Sequence, residues 1–222
     1  IWGKGKMNLI LLGPPGAGKG TQALELSQIL KIPHISTGEI FRDNIRKNTE
    51  LGKTADIYIS KGELVPDEIT TQIVKARLAQ PDCQKGFILD GFPRTIPQAE
   101  ALERILGASG RKIDWIINIV VDEDTIVERL SNRKVCPACN ETYHMKFNPA
   151  ENNRCRNCGT QLVEREDDRP EVIRHRIASY HKKTEPLIDF YRHRGKLLNV
   201  RSENSIPESL QNTLYALGLK GI

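Results

Sequence analysis

The stretch GPPGAGKGT, Gly13 to Thr21, follows the apolar run MNLILL and precedes TQALELSQILK, which reads as a helix. Lys19 is its one long side chain; the rest is glycine, proline, alanine and threonine. Such a loop leaves its backbone N–H groups uncovered, and at a helix start those donors and the helix dipole favour an anion. Gly13, Gly18 and Lys19 meet the spacing G-x-x-x-x-G-K, a phosphate-cradling P-loop when it joins a strand to a helix. Gly20 stands where the general form has Ser or Thr, and Thr21 comes one place later. A tight strand-to-helix turn with an incidental lysine is the plain alternative, and the flanking strand and helix weigh against it.

Alternation continues on both sides of the chain's P-loop. MNLILL, IPHIS, KGFILDG, IDWIINIVV and KLLNV read as strands. Ser36 and Glu39 form a capping-box pattern ahead of the helix GEIFRDNIRKN. Further helices are expected in ELGKTADIYISKG, ending at Gly62, from Asp67 onward, and in TIPQAEALERIL, DEDTIVERLSNR and IPESLQNTLYALG. This order predicts an α/β fold with a parallel sheet covered by helices on both faces. Ligands then bind beyond the carboxyl ends of the strands. Lys19, Asp90 and the helix capped by Ser36 all follow strands, so they converge on one crevice.

The chain of 222 residues suits one core with insertions or two small domains. With 38% hydrophobic and 27% charged residues it has the composition of a globular protein. A net charge of +5 neither requires nor excludes a nucleic-acid partner. No apolar run approaches a membrane span, and IWGKGK before Met7 lacks a signal-peptide pattern. Four of the five cysteines cluster, which suggests a reducing, cytoplasmic setting and a metal in place of disulfides.

Arginines recur where strands and helices would deliver them to the crevice. Arg42 follows STGE, and Arg94 closes the turn in LDGFPRT. Arg129 and Arg133 are four apart, hence expected on one face of their helix. Arg165 and Arg176 flank EDDRPEVIRHR, with Arg169 less clearly placed. A single arginine is more often a solvated surface residue. Beside a P-loop, the set has a chemical reading. A hydroxyl acceptor would want a carboxylate base, whereas a phosphate acceptor needs guanidinium forks and a metal ion to bring two anions together. No kinase-type H-R-D motif is present, so the charges point to phosphoryl transfer between two nucleotides. Asp90, a carboxylate ending its strand, is placed to help organise Mg²⁺, although Asp-Gly is also a strong turn pair.

Cys136 and Cys139 in CPAC are followed, after the fifteen residues 140–154, by Cys155 and Cys158 in CRNC. Two C-x-x-C pairs at that separation read as one tetrahedral, zinc-ribbon-like site. Four thiolates leave no open coordination position, so the role is structural. The intervening ETYHMKFNPAENNR carries turn residues for a small hairpin; His144 reads as a surface side chain and Cys83 as inert.

Taken together, GPPGAGKGTQA, STGEIFR, ELVPDE, LDGFPRT and the cysteine insert followed by REDDRPE resemble the long-form adenylate kinases with a zinc-carrying lid. In that family GKGT is normal at the P-loop, and metal contacts there run largely through water. The resemblance implies a P-loop core of residues 7–35, 65–131 and 170–222, an NMP-binding insert of residues 36–64 and a lid of residues 132–169. It implies ATP contacts from Gly16, Ala17, Gly18, Lys19, Gly20, Thr21, Arg129, Arg133, Thr142 and Tyr143, with Asn204 near the base. For AMP it implies Thr37, Arg42, Glu63, Leu64, Val65, Gly91, Phe92, Pro93, Arg94 and Gln98, with Arg165 and Arg176 bridging the two phosphate chains. Lys19, Asp90, Arg94, Arg133, Arg165 and Arg176 would carry the chemistry, with structural zinc on the four cysteines and Mg²⁺ arriving with ATP.

The expected partners are therefore ATP, AMP and ADP, with neither nucleic acid nor membrane, and the expected state is a monomer. A GTP:AMP phosphotransferase remains open, because backbone and lid contacts grip the donor base. A zinc-ribbon nucleic-acid-binding ATPase would want a basic, aromatic face around the cysteines, but the insert mixes Glu141, Glu151 and Arg154 with few aromatics, Tyr143 and Phe147. A nucleotide switch without turnover would not need the arginine set.

Overall fold

The computed structural model describes residues 7–203 and 205–219. β1 (Met7–Leu12) runs through the glycine loop into α1 (Lys19–Leu30), and β2 (His34–Ser36) runs directly into α2 (Thr37–Arg46). α3 (Glu50–Ile59) and α4 (Asp67–Leu78) precede β3 (Gly86–Asp90), α5 (Ile96–Gly107), β4 (Trp115–Val120) and α6 (Glu123–Ser131). Two short strands, β5 (Arg133–Val135) and β6 (Thr142–His144), pair antiparallel. The chain returns through α7 (Pro170–Ser179), a π-helical turn at Tyr180–Thr184, α8 (Pro186–Arg192), β7 (Leu197–Arg201) and α9 (Ile206–Ala216).

The main sheet has the order β2-β3-β1-β4-β7, and all its pairings are parallel. Its strands alternate between two buried faces, as the period of two requires. Ile10, Leu12, Phe87, Leu89 and Ile116 face one core with Val74, Leu78, Leu102, Leu106, Leu187 and Tyr191, from α4, α5 and α8. Leu9, Leu11, Ile88, Ile117 and Ile119 face the other, with Ala23 and Leu26 from α1 and Leu214 from α9. Because both faces are covered, the central strands β1, β3 and β4 read as nearly continuous apolar runs in the sequence. The register sets Leu11 and Ser36 level with Asp90, so the glycine loop, the start of α2 and Asp90 emerge together at the carboxyl ends.

Two smaller cores lie apart from the sheet. Phe41, Ala55 and Val65 gather residues of α2, α3 and the approach to α4. Cys136, Tyr143, Cys155 and Leu162 form the other, within 133–163. Four buried side chains, two of them cysteines, are too few to hold a segment of that length by apolar burial.

Several expectations change in detail. α3 ends at Ile59, and a turn carries the chain to Gly62. α6 ends at Ser131, so Arg133 lies on β5 and does not share a helix face with Arg129. The antiparallel hairpin encloses the first cysteine pair, while the stretch between the pairs makes a tight antiparallel His144–Asn148 turn and a 3-10 turn at Glu151–Asn153. Helices α7 and α8 had no counterpart in the sequence reading.

Gly52 illustrates how closely α2 and α3 meet. A Cβ there would lie 2.2 Å from the Asn44 carbonyl oxygen, a backbone atom with no side-chain freedom to retreat. Gly52→Ala should cost about 1–3 kcal/mol, the usual range for overpacking, and lower Tm in thermal unfolding. An unchanged Tm would show that this turn has room to spare.

Candidate active site

The glycine loop owes its shape to backbone conformations that side chains disfavour. Gly13, Gly16 and Gly18 have φ of 139°, 79° and 91°. Gly18 is the N-cap of α1 and brings no capping side chain, whereas Ser36, Thr49 and Thr95 accept hydrogen bonds from the N–H groups of the helices they open. The first-turn donors of α1 are thereby left for an anion. Lys19 folds back over the loop and donates to Gly13 O and Pro14 O, both at 2.8 Å. Burial pushes its pKa down to about 8, offset in part by Asp90 and reinforced by Arg94, Arg176 and Arg133.

Asp90 stands beside this loop: a Cβ on Gly20 would lie 3.6 Å from its Oδ2. His34 Nε2 is also 3.6 Å from that oxygen. Burial raises the Asp90 pKa, but His34 and Lys19 outweigh it and hold the carboxyl below its ordinary value. An ionised oxygen ligand at this place fits a hard cation such as Mg²⁺.

Beyond the loop the crevice divides into two adjoining clefts. One, of about 560 Å³, is lined by Gly13, Pro15, Lys19, Pro93 and Tyr180 among others. The second, of about 590 Å³, is lined by Thr37, Arg42, Glu63, Leu64, Val65 and Gln98 among others. Gly62, Leu64, Gly91, Arg94 and Arg176 border both. Arg94 is fixed by its Nε, which donates to Gly91 O at 2.9 Å, and by its backbone N–H, which donates to Gln98 Oε1 at 2.8 Å. Thr37 Oγ1 donates to the same Gly91 carbonyl at 2.8 Å.

A pair of adjacent carboxylates organises the remaining cations. Arg133 grips Asp168 with two parallel bonds, Nε to Oδ2 at 2.7 Å and Nη2 to Oδ1 at 2.6 Å. Arg176 Nη1 donates to Asp168 Oδ1 at 2.8 Å and to Asp167 O at 2.7 Å. Burial pushes the Asp167 carboxyl up, but Arg176, Arg133, Arg165 and Arg42 together bring its pKa down to about 2. Arg165 donates to Thr142 Oγ1 at 3.4 Å, and its Nε is buried without a partner. Burial, then Arg133 and Arg42, hold the Arg165 pKa well below its ordinary value. A guanidinium does not lose its proton in a protein, so this direction measures how strongly the place calls for an anion.

Other expected residues sit outside the clefts. Phe92 is fully buried in the sheet core, so its side chain lines neither. Ala17 is also core. Arg129 joins the end of β7, donating to Ser202 Oγ and Glu203 O at 2.8 Å. Tyr143 is buried against the cysteines, donating to Cys155 Sγ at 3.3 Å and accepting from the Arg156 N–H at 2.8 Å, and it pairs with Lys134 across the hairpin. Asn204 lies outside the described residues. Arg169 is exposed and pairs with Glu166. Asp167, Asp168, Gly62 and Tyr180 were not anticipated; the run of three acidic residues after Arg165 is the signal that marks the first pair.

The sulfurs of Cys136, Cys139, Cys155 and Cys158 lie within 4.8 Å of one another and could hold a metal ion. The hydrogen bond from Tyr143 is the main cause that brings the Cys155 thiol down to about 6, toward the thiolate a metal needs. His144 stands apart, its Nδ1 accepting from the N–H groups of Lys146 and Phe147. Across the crevice Arg46 Nη1, at the end of α2, donates to Pro137 O and Ala138 O of the first cysteine turn at 2.9 and 3.1 Å. Among the described residues no helix is long and apolar enough to cross a membrane.

Comparison with known proteins agrees with this geometry along nearly the whole chain. The family model described as "Adenylate kinase" matches residues 11–196. A protein named adenylate kinase from Thermoanaerobacter sp. is 50% identical over 216 residues, 97% of this chain and 100% of that protein. One from Acetivibrio thermocellus is 51% identical over 212 residues, covering 95% and 98%. One from Archaeoglobus fulgidus is 53% identical over 201 residues, covering 90% and 93%. A glycine loop opening onto two arginine-bordered clefts and relatedness at this level lead to one conclusion: the chain belongs to the adenylate kinase family of nucleoside monophosphate kinases.

Proposed function

We propose that this chain transfers the γ-phosphoryl group of Mg·ATP reversibly to AMP, giving two ADP, as a monomer in the cytoplasm. The observation that carries the reading is the pair of clefts sharing Arg94 and Arg176, with Lys19 on the glycine-loop side. Phe41, Ile59, Leu64, Val65, Thr70 and Gln98 give the second cleft an uncharged lining suited to a base, while Arg42, Arg94 and Arg176 suit a phosphate. Two acids line this cleft, Glu63 and Asp167; Asp167, the one paired with its arginines, is tied to Arg176 at 3.3 Å and is not free to act as a base.

The donor triphosphate lies on the α1 N-terminus, held by the backbone of residues 16–21 and by Lys19, with Arg129, Arg133, Thr142 and Tyr143 as its further contacts. AMP lies in the second cleft, its phosphate on Arg42 and Arg94. Arg165 and Arg176 span both phosphate groups. Mg²⁺, when bound with the nucleotide, neutralises charge on the phosphate oxygens, and Asp90 with Thr21 would hold it through water. The protein's part is to bring two anions into line in a water-poor crevice and stabilise the charge that spreads over the transferred group. Residues 36–64 act as an acceptor-side insert and residues 132–169 as a lid; their separate small cores and the Arg46 contact between them support that division. A matrix of donors (ATP, GTP) against acceptors (AMP, GMP, CMP, UMP), read as nucleoside diphosphate formed, tests the assignment. Preference for any other acceptor over AMP would reject it.

The lid metal is proposed to be zinc. Sulfur pairs 3.3, 3.5 and 3.8 Å apart compare with about 3.8 Å for four thiolates around an ion with bonds of about 2.3 Å. Four ligands close the coordination sphere, so this metal folds the segment and supplies no chemistry.

Three outcomes follow from these assignments. Lys19→Met should lower kcat by several orders of magnitude without lowering Tm, because its charge acts mainly in the transition state. The wild-type Lys19 pKa of about 8 lies below the ordinary 10.5. Between these values the unfolded chain holds more protons than the folded one, so the cost of burying the charge is full below about pH 8 and fades toward 10.5. A polyphosphate restores the charge, so ATP binding should take up protons at pH 8.5 and none at pH 6.5. Calorimetry in buffers of different ionisation enthalpy reads this directly, and no uptake at pH 8.5 would place the phosphates elsewhere.

Arg94→Ala removes a charge-assisted fork of about 1.5–3 kcal/mol. It should raise the KM for AMP and slow turnover while leaving ATP binding alone. Loss of ATP affinity with AMP behaviour intact would put Arg94 on the wrong side of the crevice.

Elemental analysis should find one zinc per chain. Displacing it with a thiol-reactive mercurial, with Mg²⁺ in excess, should lower Tm while activity survives in the cold and is lost on mild warming. Immediate loss in a still-folded protein would overturn the structural role.

A further inference from the structure

Gln98 lines the acceptor cleft from a buried position, 2% exposed, and its amide is held at both ends. Nε2 donates to Asp67 Oδ1 at 2.7 Å, and Oε1 accepts from the Arg94 N–H at 2.8 Å. Asp67 is held in turn: its Oδ2 accepts from Thr95 Oγ1 at 2.7 Å. It is also the first residue of α4, where the helix dipole favours a carboxylate. Asp67 does not itself line the cleft.

These partners fix which way the amide points. A carboxylate only accepts and a backbone N–H only donates. Flipping the amide would set Oε1 against the Asp67 oxygens and Nε2 against the Arg94 N–H, two repulsive contacts in a buried place. In the observed sense one N–H of Nε2 and one lone pair of Oε1 remain for a ligand. Adenine offers an amino donor at C6 beside an acceptor at N1. Guanine and hypoxanthine reverse the order, with an oxo acceptor at C6 beside an N1–H donor. An amide locked in one sense meets one of these patterns in a given base pose, and the flipped amide meets the other.

We infer that Asp67 is a specificity-determining positioning residue: it locks the Gln98 amide in the sense that takes adenine and refuses 6-oxopurines. This rests on the reading of Gln98 as a contact to the acceptor base. Thr95 and the Arg94 backbone complete the lock, so the groups that hold the acceptor phosphate and those that select its base share one network.

Asp67→Asn tests it, because an amide of the same shape can donate as well as accept and so removes one of the two contacts that oppose a flip of Gln98, leaving the Arg94 N–H as the other. Steady-state kinetics with AMP and IMP as acceptors, at saturating ATP, are compared for wild type, Asp67→Asn, Gln98→Ala and the double variant. Asp67→Asn should lower the AMP/IMP ratio of kcat/KM by about tenfold, within the discrimination expected of a bidentate amide–base pair. The change should come through KM for AMP and a gain with IMP, with the KM for ATP unchanged, and the double variant should be no less selective than Gln98→Ala alone. A lower Tm in Asp67→Asn with the ratio intact would make Asp67 merely structural and overturn the inference. If Gln98→Ala shifts the ratio and Asp67→Asn does not, the lock fails while the base contact stands. An unchanged ratio in Gln98→Ala removes the base contact and the inference with it.

Discussion

The grip of Asp168 on Arg133 and Arg176 is the contact that lets this crevice exist. Lys19, Arg42, Arg94, Arg133, Arg165 and Arg176 crowd together, offset by Asp90, Asp167, Asp168 and, at Arg42, Glu39. Like charges at this density repel, and burial adds a desolvation cost to each. Adjacent carboxylates hold two of the guanidinium groups at fixed positions yet leave a positive excess. Phosphates supply what is missing, so binding relieves a stress already built into the fold. The same arrangement explains why burial and neighbouring cations depress Lys19 and Arg165 while Asp167 stays ionised.

The sheet makes that crowding reproducible. Level register of Leu11, Ser36 and Asp90 delivers the glycine loop, the start of α2 and the acid to one edge. The acidic pair comes from the approach to α7, and Arg133 from β5 at the start of the cysteine segment. Arg133 and Asp168 therefore tie the two ends of residues 133–168 together beside the crevice, while Arg46 reaches the far end of that segment from the acceptor side. A segment with four buried core side chains has four sulfurs placed to hold a metal, and its two ends are clamped beside the crevice.

Much of this was legible in the sequence because the signals were local. Glycines at 13, 16 and 18 mark backbone angles that few other residues adopt, and the cysteine pairs mark a ligand set by spacing alone. Continuous apolar runs marked β1, β3 and β4, the central strands whose two faces are buried. Arg133 was misjudged because spacing by four assumes the helix continues, and α6 stops two residues earlier. Phe92 was read with its turn, but the turn folds that ring into the core. Helices α7 and α8 were missed because charged residues and a π-helical turn break their apolar period, although Pro170 and Pro186 stand at their starts. Asp167, Asp168 and Asp67 act through partners 8 to 35 residues away, and such pairings have no local signature.

The central claim is that the acceptor is itself a phosphate anion, neither water nor a hydroxyl. Phosphorus NMR of the protein with Mg²⁺, ATP and AMP tests this most directly by following every phosphate at once. The account predicts two ADP formed for each ATP consumed, no inorganic phosphate, and no reaction when AMP is left out. Inorganic phosphate appearing at a comparable rate, or ADP formed from ATP without AMP, would contradict it.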